Sequence, residues 1–324
     1  MGLIFRKLQK RDGYIIIFIL FITLGLIFTV KTGYSINFDF VKQSSGFWKS
    51  IILFTLLYLA AHLLRIIRLY TILLENKIKF KDLLRVYAVT AWVNFFIPYK
   101  VGEIFRVIEI GRLCKNVRRG IVVIWIERLF DAIVILTIML VYFLLSDISL
   151  IDYLPLVIIL FTFISFSFFY YLEFPFTYKY VNQLIMSRSN STRGVKLLNF
   201  LYNMRKIHSD IKALIQGRSS LGLFISVIIW ILEIFSISIL FSTINISSMF
   251  QSFFLLLNDS FFSISTSETN SSNFLLYKNL GLIILSLLAL YFICSLLINR
   301  ISEALRLRNK QARMQYVRKN TEYY

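Results

Sequence analysis

The sequence has few of the residues from which metal, redox and catalytic sites are built. Its 324 residues include only two cysteines, Cys114 and Cys294, and two histidines, His62 and His208. The cysteines have no partner at the spacing of a metal or redox motif, and the histidines lie far apart in the chain without ligand-type neighbours. We therefore expect inert thiols, no metal site and no cofactor.

Catalytic signatures are also lacking. The chain contains no Walker loop, no GxSxG motif and no HExxH motif. Their absence favours a protein that is not an enzyme. Transport driven by ATP would require another subunit.

Acidic residues are scarce, with 17 Asp and Glu against 36 Lys and Arg, which gives a formal net charge of +19. Only 16% of the residues are charged, and 58% are hydrophobic. A soluble domain carries roughly 25% charged residues, so a soluble globular protein is excluded. A basic chain can bind nucleic acid, but in so apolar a chain membrane topology and anionic lipid explain the charge better. We expect no nucleic-acid partner.

The hydrophobic residues fall in runs long enough to cross a hydrocarbon layer of about 30 Å as helices. Six such runs predict full spans, and two shorter or weaker runs do not. The first run is interpreted as an uncleaved anchor because no small-residue cleavage site follows it. The full runs are Tyr14–Val30, Ser50–Leu74, Ile121–Leu145, Leu154–Leu172, Leu221–Ile244 and Leu280–Ile298; the other two are Leu83–Ile97 and Phe250–Thr266.

Basic residues predict the orientation of these runs. With the N-terminus in the cytoplasm, 31 of the 36 Lys and Arg residues lie in cytoplasmic flanks, as the positive-inside tendency requires. We therefore predict a multi-pass plasma-membrane protein with both termini in the cytoplasm. It has one transmembrane domain over residues 1–300, a cytoplasmic amphipathic loop at 173–219 and a basic cytoplasmic tail at 301–324.

The loop at 173–219 contains apolar residues that share one helical face, with the basic residues largely elsewhere. This pattern predicts one or two amphipathic helices on the inner membrane surface. The apolar face consists of Val195, Leu198, Leu201, Tyr202, Ile211, Leu214 and Ile215.

The run Leu83–Ile97 has basic residues on both sides, so both of its ends are expected in the cytoplasm. Fifteen residues rise only about 22 Å as a helix, and Pro98 then ends the helix. The chain should turn between Pro98 and Gly102 and return through Glu103–Leu113. The segment 250–275 is predicted to form a second re-entrant hairpin of opposite orientation, which enters the membrane from the outside.

The predicted fold is an all-α polytopic membrane protein with about six full spans and two re-entrant helical hairpins. The order of span, hairpin and span occurs twice with opposite orientation, over residues 50–145 and 221–298. This is the outline of an inverted repeat, a plan common in transporters. The symmetry rests on topology alone.

Charged residues inside the hydrophobic runs are the most informative, since each costs roughly 2.5–3.5 kcal/mol at mid-depth. Glu127 and Asp131 share a helical face, and Arg128 and Asp131 are spaced to pair. These three charges must find partners or water. Arg65 and Arg68 are candidate partners.

The predicted turn adds a second polar set. Glu103 falls in the first turn of the returning helix, where the helix dipole favours a carboxylate, and Arg106 follows one turn later. An arginine suits a phosphate because its planar fork donates two parallel hydrogen bonds. The candidate substrate-binding residues are Arg65, Arg68, Asn94, Lys100, Glu103, Arg106, Glu127, Arg128, Asp131, Glu233 and Glu268, with Pro98 and Gly102 as a structural turn.

These motifs resemble the lysylphosphatidylglycerol synthase transmembrane-region family, also called flippase-like membrane proteins, over residues 10 to 300. The resemblance implies movement of charged or glycosylated lipids across a bilayer, often beside envelope glycan pathways. The Pro- and Gly-rich turn of the family's second hairpin is replaced by serines, and only Glu268 is carried over there. A soluble aminoacyl-transferase domain is not in the chain, so we expect no lipid lysylation by this protein alone.

Two functional hypotheses stay open. In the first, the protein is a lipid transporter, and its partners are membrane lipids with anionic headgroups. In the second, it is a glycosyltransferase or a membrane subunit that works with glycosyltransferases or other envelope-pathway proteins. The buried charges of Glu127, Arg128 and Asp131 either take part in the passage of a lipid headgroup or form ion pairs that hold helices together. Arg65 and Arg68 either bind substrate or reach the inner membrane surface as anchors.

Overall fold

The computed structural model describes residues 47–96, 101–145, 153–188, 192–241, 248–254 and 276–295, together with Ile22, Thr23, Ile27, Leu257 and Ile298. Over this part of the chain the protein is helical and contains no strand. The helices are α1 (Phe47–Ile72), α2 (Phe80–Phe96), α3 (Val101–Leu113), α4 (Val117–Leu145), α5 (Leu154–Arg188), α6 (Thr192–Ile215) and α7 (Ser219–Phe241), followed by a helical segment at 248–254 and by α8 (Leu276–Ser295). A 3-10 turn at Leu74–Asn76 follows α1.

Four helices are long and apolar enough to cross a membrane. They are Trp48–Ile72 of α1, Leu154–Ser187 of α5, Ser219–Leu240 of α7 and Leu276–Ser295 of α8. The predicted first span at 14–30 lies outside the described residues apart from Ile22, Thr23 and Ile27. The α4 helix is not among the four, so the number of six full spans remains a prediction.

The first predicted hairpin is a pair of packed antiparallel helices, α2 and α3. The guanidinium of Arg106 lies 5.1 Å from the ring centre of Tyr87, and the Asn94 amide donates to Glu103 nearer the turn. Residues 97–100, which include Pro98 and Lys100, lie outside the described residues. Of the second hairpin, only 248–254 and Leu257 are described. Insertion of either hairpin into a membrane remains a prediction.

Glycines bring the backbones of α2, α3 and α4 close together. A Cβ atom at Gly120 would lie 2.9 Å from the amide nitrogen of Gly111 and would clash with the carbonyl oxygen of Val107. Only a residue without a side chain allows α4 to lie this close to α3. Because the two helices touch here, the next turns of each bring Arg106 of α3 within reach of Glu127 of α4.

The apolar core encloses the centre of the bundle from three sides. One cluster of buried residues joins α1, α2, α3, α4 and α6, a second joins α4, α5, α7 and 248–254, and a third joins α1, α2 and α8. In the third cluster, the indole of Trp92 on α2 donates to the hydroxyl of Ser286 on α8 at 2.8 Å. Polar side chains on the inward faces of α1, α4 and α7 are therefore shielded from the surroundings by hydrophobic contacts.

The α5 helix does not end with its hydrophobic run at Leu172 but continues to Arg188. Pro175 lies inside it and has no amide hydrogen to donate to the carbonyl of Tyr171, four residues earlier. A ring nitrogen of His208 lies 3.0 Å from that carbonyl oxygen, so the α6 side chain replaces the missing donor. The α6 helix thereby packs against α5, and Asp210 joins it to Arg118 of α4 at 2.8 Å.

His208→Ala should destabilise the protein by about 1–2 kcal/mol because the Tyr171 carbonyl loses its donor. In a Pro175→Ala background, the backbone amide of residue 175 can bond this carbonyl again, and the same substitution should cost less. Unfolding by SDS in mixed micelles would measure all four variants of the cycle. An equal cost in both backgrounds would show that His208 acts only through its packing on the neighbouring aromatic rings.

Candidate functional site

A connected network of four arginines and four carboxylates occupies the centre of the bundle. Its members come from α1, α3, α4 and α7, and their formal charges cancel. The prediction that the charges of α4 find partners is therefore confirmed. The network consists of Arg65, Arg68, Arg106, Arg128, Glu103, Glu127, Asp131 and Glu233.

Arg68 is the centre of this network and only 2% exposed. Its Nη1 lies 2.5 Å from Oδ1 of Asp131 and 2.7 Å from Oγ of Ser226, and its Nη2 lies 3.2 Å from Oδ2 of Asp131. The same Nη2 is 3.5 Å from Oε1 of Glu127. These contacts join α1 to α4 and α7 through one guanidinium. The interpretation of Arg68 as an anchor that reaches the membrane surface does not fit this geometry.

Glu127 is fully buried and is held between two arginines. Its second oxygen, Oε2, accepts a hydrogen bond from Nη2 of Arg106 at 2.8 Å. The opposite side of Arg106 lies over the ring of Tyr87 on α2. Arg106 therefore connects the α2–α3 hairpin to the centre of the network.

Arg128 and Glu103 form a rim at the surface between α3 and α4. The Arg128 side chain is 44% exposed, and its Nη2 lies 2.6 Å from Oε1 of Glu103. Its Nη1 is 3.6 Å from Oδ2 of Asp131, which confirms the predicted pairing within α4. The Asn94 amide donates to the same Glu103 oxygen at 3.3 Å. The network thus extends from an accessible arginine to a buried one.

Arg65 pairs with Glu233 rather than with the charges of α4. The hydroxyl of Tyr277 donates to Oε1 of Glu233 at 3.3 Å. Trp230 links this pair to the centre, because its indole donates to Oδ1 of Asp131 at 3.1 Å while the guanidinium of Arg65 lies 5.9 Å from its ring centre. The inverted half of the predicted repeat therefore contributes a carboxylate and an indole to the network.

Sequence reasoning missed the neutral residues of the site: Tyr87, Ser226, Trp230 and Tyr277. A signal for two of them was present, since Ser226, Trp230 and Glu233 are spaced four and three apart and so share one face of α7. Tyr277 carries no such signal, because it reaches Glu233 from another helix.

Several predicted site residues lie elsewhere or are not described. Lys100, Pro98 and Glu268 lie outside the described residues. Gly102 lies in the first turn of α3, and a Cβ atom there would clash with the backbone of Asn94. Its place in the structure is explained by the close approach of α2 to α3.

Unused hydrogen-bonding capacity remains in and beside the network. Eight buried side-chain atoms of the described residues have no hydrogen-bond partner, and four of the eight belong to the network or to Asn94 beside it: Nε of Arg68, Nε of Arg106, Oδ1 of Asn94 and Oε2 of Glu103. Buried polar atoms are usually satisfied, so orphaned ones call for an explanation. Two donors and two acceptors in and beside one network are suited to a polar guest that both accepts and donates hydrogen bonds.

The family model of the lysylphosphatidylglycerol synthase TM region matches residues 14–258. The chain belongs to this family. No curated protein matches it, and no solved structure does. Membership and the apolar helices show a multi-pass membrane protein, and the lysylphosphatidylglycerol synthase TM region is a membrane domain associated with lipid and flippase-like function. All eight charged residues of the network fall inside the segment that matches the family.

Proposed function

We propose that this protein carries the headgroup of an anionic phospholipid or of a lipid-linked glycan across the plasma membrane, with both of its termini in the cytoplasm. The observation that supports the proposal is the continuity of the network. It runs from Arg128, which is 44% exposed, to Arg68, which is 2% exposed. A headgroup can follow this line of arginines while its acyl chains stay in the surrounding lipid.

The charge balance of the network suits a carrier better than a tight binding site. Since every arginine of the network is already paired through at least one Nη atom, an incoming phosphate gains these donors by displacing a carboxylate. At the rim, it would replace Glu103 as the partner of Arg128. Farther in, it would compete with Glu127 for Arg106. Each step exchanges one ion pair for another, and the displaced carboxylate can take its arginine back, so the headgroup is not held in a deep energy minimum.

The four atoms without hydrogen-bond partners suggest which chemical groups of the headgroup the protein recognises. The free Nε atoms of Arg68 and Arg106 can donate to phosphate oxygens. Oδ1 of Asn94 and Oε2 of Glu103 can accept from a hydroxyl or amine of the headgroup. A headgroup that carries both a phosphate and such donors would satisfy both sets.

Arg106→Lys should slow headgroup transfer at least tenfold while the protein still inserts and folds. Lysine keeps a positive charge beside Glu127 but cannot donate two parallel hydrogen bonds to a phosphate. The assay reconstitutes the protein in vesicles and measures transfer of an anionic phospholipid and of a lipid-linked glycan between leaflets.

The matched control is Arg112→Lys on the same helix. Its side chain is 69% exposed and pairs with Glu109 within α3, so its transfer rate should equal that of the wild type. Wild-type transfer by Arg106→Lys would contradict the proposal. Stable co-purification with a glycosyltransferase, without lipid movement by the protein alone, would favour the role of an assembly subunit.

A further inference from the structure

The α5 and α6 helices form a hairpin in which α5 is longer than the hydrocarbon layer is thick. The 35 residues of α5 correspond to about 52 Å of helix, against a hydrocarbon thickness of about 30 Å. The two helices pack near the middle of this length, where the hydroxyl of Tyr170 donates to the Met204 carbonyl at 2.8 Å. The part of the two helices at and beyond that contact is the distal hairpin, defined here as residues 176–188 and 192–206.

The distal hairpin exposes many large apolar side chains. On α6, the inner residues Ile211 and Leu214 are buried against the bundle, whereas Leu197 and Phe200 continue the same helical face without a cover. Contiguous apolar surface of this kind marks a site of interaction with protein or membrane. The residues at least half exposed are Phe176, Tyr180, Met186, Val195, Phe200 and Tyr202.

The positive charge of the hairpin favours a membrane over a protein as its partner. Residues 173–215 contain seven lysines and arginines but only Glu173 and Asp210 as acids. Asp210 is already paired with Arg118, which leaves the hairpin strongly cationic. An anionic lipid surface complements both this charge and the exposed aromatic rings.

Two basic side chains already lie along aromatic rings, in the arrangement that suits a membrane interface. The guanidinium of Arg205 lies 5.1 Å from the ring centre of Tyr178. The ammonium of Lys206 lies 4.2 Å from that of Tyr202. In such pairs the apolar stem and the ring can enter the interface while the charged end stays at the level of the phosphates.

We propose that the distal hairpin lies on the anionic inner leaflet of the membrane, with its aromatic side chains at the boundary of headgroups and acyl chains. The proposal requires the hairpin to be cytoplasmic but does not require lipid transport. Phosphates of the leaflet surface neutralise Lys196, Arg205 and Lys206, and the lipid covers Phe200.

A spin label on the full-length protein tests this placement. The label is attached at Phe200→Cys after Cys114→Ser and Cys294→Ser remove the two native thiols. Single copies are placed in nanodiscs of phosphatidylglycerol with phosphatidylcholine, or of phosphatidylcholine alone, so that a second copy cannot cover the label. Accessibility to oxygen and to a water-soluble nickel reagent reports the surroundings of the label.

In discs containing phosphatidylglycerol the label should be accessible to oxygen and protected from nickel. Lys196→Gln, Arg205→Gln and Lys206→Gln together should lower the ratio of lipid-bound to water-exposed label by about tenfold or more. The exposed residues Lys79, Lys81 and Lys115, changed together to glutamine, remove the same charge and should leave the ratio unchanged. Nickel accessibility in anionic discs would overturn the proposal, and so would lipid exposure that is equal in both discs and insensitive to the hairpin charges.

Discussion

Arg68→Leu is expected to destabilise the folded protein by about 3–5 kcal/mol, a large part of the stability of a typical domain. The substitution leaves Asp131 without its two-pronged partner and Glu127 with one arginine instead of two. Both carboxylates are buried, so water cannot replace the lost cation. Unfolding by SDS in mixed micelles would measure the loss.

The double variant Arg68→Leu with Asp131→Leu separates the cost of an unpaired charge from the cost of a changed shape. Removing both members of a buried ion pair is often close to neutral, so the double variant should be more stable than Arg68→Leu alone. An Arg68→Leu protein as stable as the wild type would show that the central guanidinium is not needed to hold α1 against α4 and α7.

Gly102→Ala is expected to cost about 1–3 kcal/mol and to reduce transport together with stability. The added Cβ atom would lie 2.5 Å from the amide nitrogen of Asn94 and closer still to its Cα. Since backbone atoms cannot rotate away as a side chain can, α2 and α3 must separate. Their separation would break the hydrogen bond from Asn94 to Glu103 and move Arg106 away from Tyr87. Unfolding and headgroup transfer, measured on one preparation, would report both effects.

Gly217→Ala is the matched control for this substitution. Gly217 has a φ of +75° and no heavy atom within 4 Å of the position of its missing Cβ. Alanine there strains one residue, at a cost of about 1–2 kcal/mol, without moving one helix against another. Its transfer rate should therefore follow its modest loss of stability. Wild-type stability and transport in Gly102→Ala would contradict the close approach of α2 and α3.

The charged part of the site was predictable because burial makes ionised side chains costly wherever they occur. The spacing of three between Arg128 and Asp131 was sufficient to predict their contact. Arg65 and Glu233 are separated by 168 positions in the chain, and no local pattern links them. Their contact follows from the antiparallel packing of α1 and α7, which only the fold supplies.

The length of α5 was not predictable from hydropathy, since the apolar run ends at Leu172 and Pro175 follows. A proline inside a helix normally ends or bends it. Here His208 supplies the hydrogen bond that Pro175 cannot, from a helix that begins well after α5 in the chain. Tertiary contact thus overrides the local signal for a break.

The role of Gly102 was also not predictable from the sequence, because it depends on a tertiary contact. The sequence suggested that Gly102 allows a tight turn after Pro98, and residues 97–100, where that turn would lie, are outside the described residues. The structure places Gly102 inside α3, where the absence of a side chain allows contact with Asn94. A glycine required for close packing and one required for a turn look alike in a single sequence.

The measurement that most directly tests the network as a passage is headgroup transfer by Arg128→Gln, compared with its free energy of unfolding in the same preparation. Because the Arg128 side chain is 44% exposed, losing its ion pairs should change stability by no more than about 1 kcal/mol. We predict that transfer nevertheless falls at least tenfold, because the phosphate loses its first partner at the rim. Transfer at the wild-type rate would contradict the account and leave the network as a structural link between helices.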